Sequence, residues 1–156
     1  MAGQSARRET APAARQERPE SRMSRRILVC DDEPHITRTI SLRLRKAGFA
    51  VETAEHGLSA WEAIEREAPD LLISDCQMPL MDGLELCRRI RADYRTADLP
   101  IILLTAKGYE LPIKALQREL QISAIVNKPF SPRGLLQLVQ LLTGVEEAHV
   151  VKGILA

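Results

Sequence analysis

Short aliphatic runs alternate along the chain with longer stretches in which apolar residues recur every three or four positions. The runs fall at residues 27–30, 50–54, 71–74, 100–104 and 124–127, and the amphipathic stretches at 34–47, 57–68, 84–92, 112–120 and 132–142. This is a β-α pattern repeated five times. The runs ILVC, LLIS and IILL are apolar throughout, as strands covered on both faces require, whereas AVETA alternates in the manner of an edge strand. On the first helical stretch Ile36, Ile40, Leu44 and Ala47 share one face, which reads as core packing.

Boundary residues agree with this division. Pro34 and Pro132 suit first helical positions, Asp82 followed by Glu85 suits a capping box, Gly48 suits a helix stop, and Pro69 closes the second helix. Right-handed crossovers between such units give a doubly wound α/β fold with a parallel sheet and helices on both faces.

Two segments stand outside the pattern. Residues 1–24 are rich in Ala, Arg, Glu, Gln and Pro with no apolar period, and a disordered extension is expected there. A folded domain is expected over 25–143, followed by a short tail over 144–156.

Composition narrows the classes of function. The net charge of +1 conceals a split, because residues 1–26 hold seven Arg against three Glu and the remainder is mildly acidic. A domain built to neutralise a nucleic-acid backbone is therefore disfavoured. Only five residues are aromatic (Phe49, Trp61, Tyr94, Tyr109, Phe130), so the core is filled by aliphatic side chains and base stacking has little to work with. Three cysteines, Cys30, Cys76 and Cys87, follow no metal-ligand spacing and read as small buried thiols, reduced in the cytoplasm. No apolar run approaches the ~18 residues of a membrane span. His35 is expected to face solvent and Trp61 to pack at the edge of the second helix.

The residues with chemistry gather at one kind of place, the C-terminal end of a predicted strand. Asp31, Asp32 and Glu33 follow ILVC, Asp75 follows LLIS, Thr105 follows IILL, and Lys128 follows AIVN. In an open α/β sheet these ends line one crevice. Carboxylates gathered there resist ionising together unless a cation joins them, and Mg²⁺ suits an all-oxygen site that must still admit a phosphoryl oxygen. A carboxylate can then act as nucleophile toward phosphorus, with protein groups positioning the reactants and neutralising charge. In that scheme Asp75 is the nucleophile, Asp31 and Asp32 hold the metal, Lys128 supplies a further positive charge and the Thr105 hydroxyl bonds the transferred group.

The segments VCDDEP, LLISDCQMPLMDGLEL, IILLTA and AIVNKPF, in this order over about residues 25–142, resemble the receiver domains of bacterial response regulators. The resemblance implies a flavodoxin-like three-layer fold with five parallel strands in the order 2-1-3-4-5. It implies that Asp75 is phosphorylated, that Asp32 binds Mg²⁺ directly and Asp31 through water, and that Asp75 and the main-chain carbonyl of Gln77 complete the protein ligands. It further implies that Thr105 and Lys128 read the phosphoryl group and that the Lys128–Pro129 peptide is cis. Lys107 and Gln77, two residues beyond the threonine and the nucleophile, are expected to tune the lifetime of the phosphoryl group.

One position departs from the family. Where an aromatic residue often follows the threonine inward, this chain has Ile125, with Tyr109 as a candidate substitute in the loop after Thr105. The expected function is a stand-alone receiver that takes a phosphoryl group from a histidine kinase or histidine phosphotransfer protein and signals through a protein target. No external substrate turnover, direct DNA binding or membrane attachment is expected, and the chain is expected to be a monomer or weak homodimer. The competing readings are a pseudo-receiver that docks partners without phosphorylation and a small phosphatase on a flavodoxin-like fold. The second lacks any visible general acid beyond the cleft carboxylates.

Overall fold

The computed structural model describes residues 24–106 and 112–145. The chain runs β1 (Arg26–Cys30), α1 (Pro34–Lys46), β2 (Ala50–Ala54), α2 (Gly57–Arg66), β3 (Leu71–Asp75), α3 (Gly83–Ala92), β4 (Ile101–Thr105), α4 (Ile113–Leu120), β5 (Ala124–Asn127) and α5 (Pro132–Thr143). The strands form one parallel sheet in the order β2-β1-β3-β4-β5. Fold class and strand order are those expected.

Strand alternation builds two cores. Leu28, Cys30, Leu72, Ile101 and Leu103 meet α2, α3 and α4 on one face through Trp61, Ile64, Leu86, Ile90 and Leu116. Their neighbours Ile27, Val29, Leu71, Ile73, Ile102 and Leu104 meet α1 and α5 on the other through Ile40, Leu44, Leu135 and Val139. Each fully buried aliphatic side chain contributes roughly 1.5–3 kcal/mol, so β1, β3 and β4 anchor the sheet while β2 and β5 form its edges. Ile36 and Ala47 are only partly buried against the second core, at the margin of the stripe that Ile40 and Leu44 centre.

The helix ends show where local chemistry was read well and where it was not. Asp82 caps α3, with its Oδ1 accepting from the Glu85 N–H at 2.8 Å, but the reciprocal contact from the Glu85 side chain is not formed. The capping box is at α2 instead, where His56 Nδ1 accepts from the Ser59 N–H at 3.1 Å and Ser59 Oγ accepts from the His56 N–H at 3.4 Å. Gly48 follows α1 at φ +99°, a conformation that suits a residue without Cβ. The second helix ends at Arg66, two residues short of the expected end. Lys107, Tyr109, the 1–24 extension apart from Ser24, and the tail beyond Val145 lie outside the described residues. Among the described residues no helix is long and apolar enough to cross a membrane.

Candidate functional site

Parallel pairing carries the polar residues to one edge of the sheet. Asp31 follows β1 and its N–H donates to the Ala54 carbonyl at 3.1 Å, which fixes its backbone against β2. Asp75 and Thr105 are the last residues of β3 and β4, and Lys128 follows β5, held by its N–H to the Thr105 carbonyl at 2.7 Å. The Lys128–Pro129 peptide is cis, as expected.

Lys128 is the centre of the cluster. Its Nζ lies 2.9 Å from Asp31 Oδ2, 2.9 Å from Glu33 Oε1 and 3.3 Å from Asp75 Oδ1. Burial alone would lower the lysine pKa, but the contacts to Asp31 and Glu33 outweigh it and raise the pKa above its usual value. Lys128 therefore stays charged.

The carboxylates are under the opposite pressure. Burial, reinforced by the Asp31 charge and only partly offset by Lys128, pushes the Asp75 carboxyl up to about 6. Burial also raises Asp31, against the Glu33 N–H that donates to its Oδ1 at 2.9 Å and against Lys128. Glu33, in contact with Lys128, is held below its usual range. Asp32 is exposed at the mouth of the cleft.

Asp31, Asp32 and Asp75 each offer a carboxylate oxygen within 4.8 Å of the others. One ammonium serves two buried carboxylates, and Asp31 Oδ2, although ion-paired with it, has no partner in hydrogen-bonding geometry. These residues fit a hard divalent cation, which would satisfy that oxygen and relieve the repulsion. Gln77 lies in the loop after β3 with an exposed side chain.

Thr105 is 2% exposed and donates its hydroxyl proton to Asn127 Oδ1 at 2.7 Å. Ile125 pairs with Leu103 in the sheet and packs partly buried against the core that contains Cys76 and Leu116. His35 is solvent-facing, and Trp61, a residue of α2, is buried in the core between α2 and α3 with the Arg89 guanidinium 5.7 Å from its ring centroid. Cys30 and Cys76 flank the site and are buried.

Sequence reasoning brought Asp31, Asp32, Asp75, Thr105 and Lys128 to the same edge, and the structure places them there. It missed two neighbours. Glu33 was visible among the strand-end acids, but its reach to Lys128 depends on how the chain turns into α1. Asn127 could be found only from the β4–β5 register, which sets it opposite Thr105.

The model of the response regulator receiver domain family matches residues 27–140. A putative response regulator from Chloroflexus aurantiacus J-10-fl is 34% identical, covering 78% of this chain and 98% of that one, with a TM-score of 0.71. A sensor protein from Polaromonas sp. JS666 is 30% identical over 78% of this chain and 98% of its own, with a TM-score of 0.69. The chemotaxis response regulator CheY4 of Vibrio cholerae is 29% identical over 76% and 98%, with a TM-score of 0.70. The matched span holds both halves of the core and every residue of the carboxylate cleft, and the chain belongs to the response regulator receiver domain family.

Proposed function

We propose that the chain accepts a phosphoryl group on Asp75 and passes the resulting state to another protein. The observation that carries this reading is the buried Asp75 carboxylate set 3.3 Å from Lys128 Nζ and gathered with Asp31 and Asp32 at one sheet edge. Asp31, Asp32, Asp75 and the Gln77 carbonyl would hold Mg²⁺, with Asp31 acting through water, and the bound ion would neutralise charge on the phosphoryl oxygens. Lys128 brings a second positive charge to the same oxygens.

The donor class is a phosphohistidine on a histidine kinase or a histidine phosphotransfer protein. An Asp75 oxygen attacks phosphorus, the P–N bond breaks, imidazole leaves and an acyl phosphate forms. Burial of Asp75 keeps bulk water from the carboxylate, the Lys128 ammonium 3.3 Å away would bind the transferred group, and the Thr105 hydroxyl would join it once released from Asn127. Water later attacks phosphorus, the P–O bond to Asp75 breaks, inorganic phosphate leaves and the carboxylate is restored. Gln77, two residues beyond Asp75, would tune the rate of that step, and Lys107, two beyond Thr105, is the other candidate. Only these two steps are catalysed, with no turnover of an external substrate.

Incubation with acetyl phosphate and Mg²⁺ followed by intact mass measurement tests the reading. One phosphate added to the wild type and none to Asp75→Ala is expected. A wild type that takes up no phosphate and binds no Mg²⁺ would overturn it in favour of phosphorylation-independent docking, the reading to which an aliphatic Ile125 lends some support.

A further inference from the structure

We infer that Asn127 is a positioning residue that holds the Thr105 hydroxyl in the resting protein and competes with a phosphoryl group for its proton. The inference rests on Asp75 being the phosphoacceptor, as proposed above.

A threonine hydroxyl has one proton to donate. Here it is committed to Asn127 Oδ1 at 2.7 Å. Thr105 is 2% exposed, so water offers the hydroxyl little alternative. A phosphoryl oxygen on Asp75 can therefore receive this proton only if Asn127 gives it up. Two acceptors and one proton make a two-position device.

The surroundings allow that exchange without disturbing the sheet. Thr105 and Asn127 are paired across β4 and β5, and the Lys128 N–H to Thr105 carbonyl bond at 2.7 Å holds the backbone independently of either side chain. Asn127 is exposed, so once released its amide oxygen is taken up by water at little cost. The penalty for losing the contact falls almost wholly on the buried hydroxyl. Removing Asn127 Oδ1 thus raises the resting state and leaves the phosphoryl-bound state nearly unchanged, which shifts the population toward the latter. A shift of about fivefold corresponds to one ordinary net hydrogen bond.

The test uses beryllofluoride, a tetrahedral phosphoryl mimic, with Mg²⁺ on wild type, Asn127→Ala and Asn127→Val. Because Asn127 ends an edge strand and is exposed, both variants are expected to fold, and their melting curves check this. Wild type without beryllofluoride should show a single Thr105 χ1 rotamer by three-bond couplings to its γ-methyl, and the variants a mixture. The beryllofluoride dissociation constant should fall about fivefold in both variants. An unchanged or increased constant overturns the competition, whatever the rotamer does. If acetyl phosphate still adds one phosphate to the wild type in that case, the reading of Asp75 stands and only the role of Asn127 falls; if it adds none, both fall.

Discussion

Lys128 Nζ stands 2.9 Å from Asp31 Oδ2, joining a side chain that is 14% exposed to one that is 0% exposed. The same ammonium serves Asp75, so two buried carboxylates depend on one cation. Removing one partner of a buried pair leaves an uncompensated charge, which costs more than the pair itself contributes. Lys128→Met is therefore expected to lower the unfolding free energy by about 3 kcal/mol at pH 7.5 in divalent-free buffer. Urea denaturation of the two proteins measures this, and a loss below about 1 kcal/mol would mean that the lysine is held no more tightly than a surface residue.

The elevated Asp75 carboxyl predicts a pH dependence with a definite sign. Its pKa is about 6 in the folded protein, against about 4 for an unperturbed aspartate. The folded state then binds the proton more tightly than the unfolded state, so this group favours folding at low pH and its contribution is lost as the pH rises from about 4 to about 6. Asp75→Asn cannot lose a proton. In divalent-free buffer its stability relative to the wild type should rise by about 2 kcal/mol between pH 4.5 and pH 7.5. A constant difference across that range would show that the carboxylate carries no such burden.

A divalent cation should cancel much of that cost. At ten times its dissociation constant, Mg²⁺ is expected to stabilise the fold by about 1.4 kcal/mol, a melting shift of roughly 5 °C for a domain of this size. The three Asp oxygens within 4.8 Å of one another place the effect in the cleft. Asp32→Asn and Asp75→Asn should each lose most of the shift in a thermal melt, and chelation should abolish it in the wild type. Equal shifts in all three proteins would put the cation elsewhere.

The elements were legible because hydrophobic period and sheet position coincide. Leu71, Leu72 and Ile73 are completely buried between two helical layers, and an unbroken apolar run records that situation directly. The run stops at Ser74, yet β3 continues to Asp75, which pairs with Leu104; β4 likewise continues to Thr105 opposite Asn127. Hydropathy ends with the last apolar side chain, whereas the ladder ends with the last hydrogen bond. The cleft was legible for the same reason, since its residues sit one position past each run.

What stayed hidden depends on tertiary placement. Arg91 donates to the Leu120, Ala97 and Gln121 carbonyls at 2.8, 2.9 and 3.1 Å, tying α3 to the end of α4, and nothing local distinguishes it from Arg88 or Arg89. The contacts of Glu33 with Lys128 and of Asn127 with Thr105 are of this kind, long in sequence and short in space.

Gly83 provides a test of how the acceptor is positioned. A Cβ at this residue would overlap the Asp75 carbonyl oxygen, and the Gly83 N–H donates to the Cys76 carbonyl at 2.9 Å. The loop after β3 thus folds back on the strand end, with only backbone between them. Gly83→Ala forces that contact apart at an expected cost of about 1–3 kcal/mol. Because the displaced atoms belong to Asp75, acetyl phosphate labelling should slow at least tenfold even where melting shows the variant still folded. Gly134, whose Cβ would meet only Ser131 at 3.5 Å, should accept alanine without change in labelling and serves as the control.

The cysteines beside the cleft should be inert while the chain is folded. Burial pushes Cys30, Cys76 and Cys87 each up to about 12, and the Asp31 and Asp75 charges add to the effect at Cys30 while Asp75 adds to it at Cys76. The Cys30 thiol lies 3.2 Å from Met78 Sδ, in the apolar layer rather than in the cleft. Reaction requires the thiolate, of which roughly one part in ten thousand is present four units below the pKa. At pH 8 a disulfide reagent should therefore label none of the three thiols within minutes in buffer and all three in urea. Rapid labelling of Cys30 or Cys76 in the folded protein would show that the floor of the cleft opens to solvent, and the elevated Asp75 carboxyl, which depends on the same burial, would then have to return toward its ordinary value.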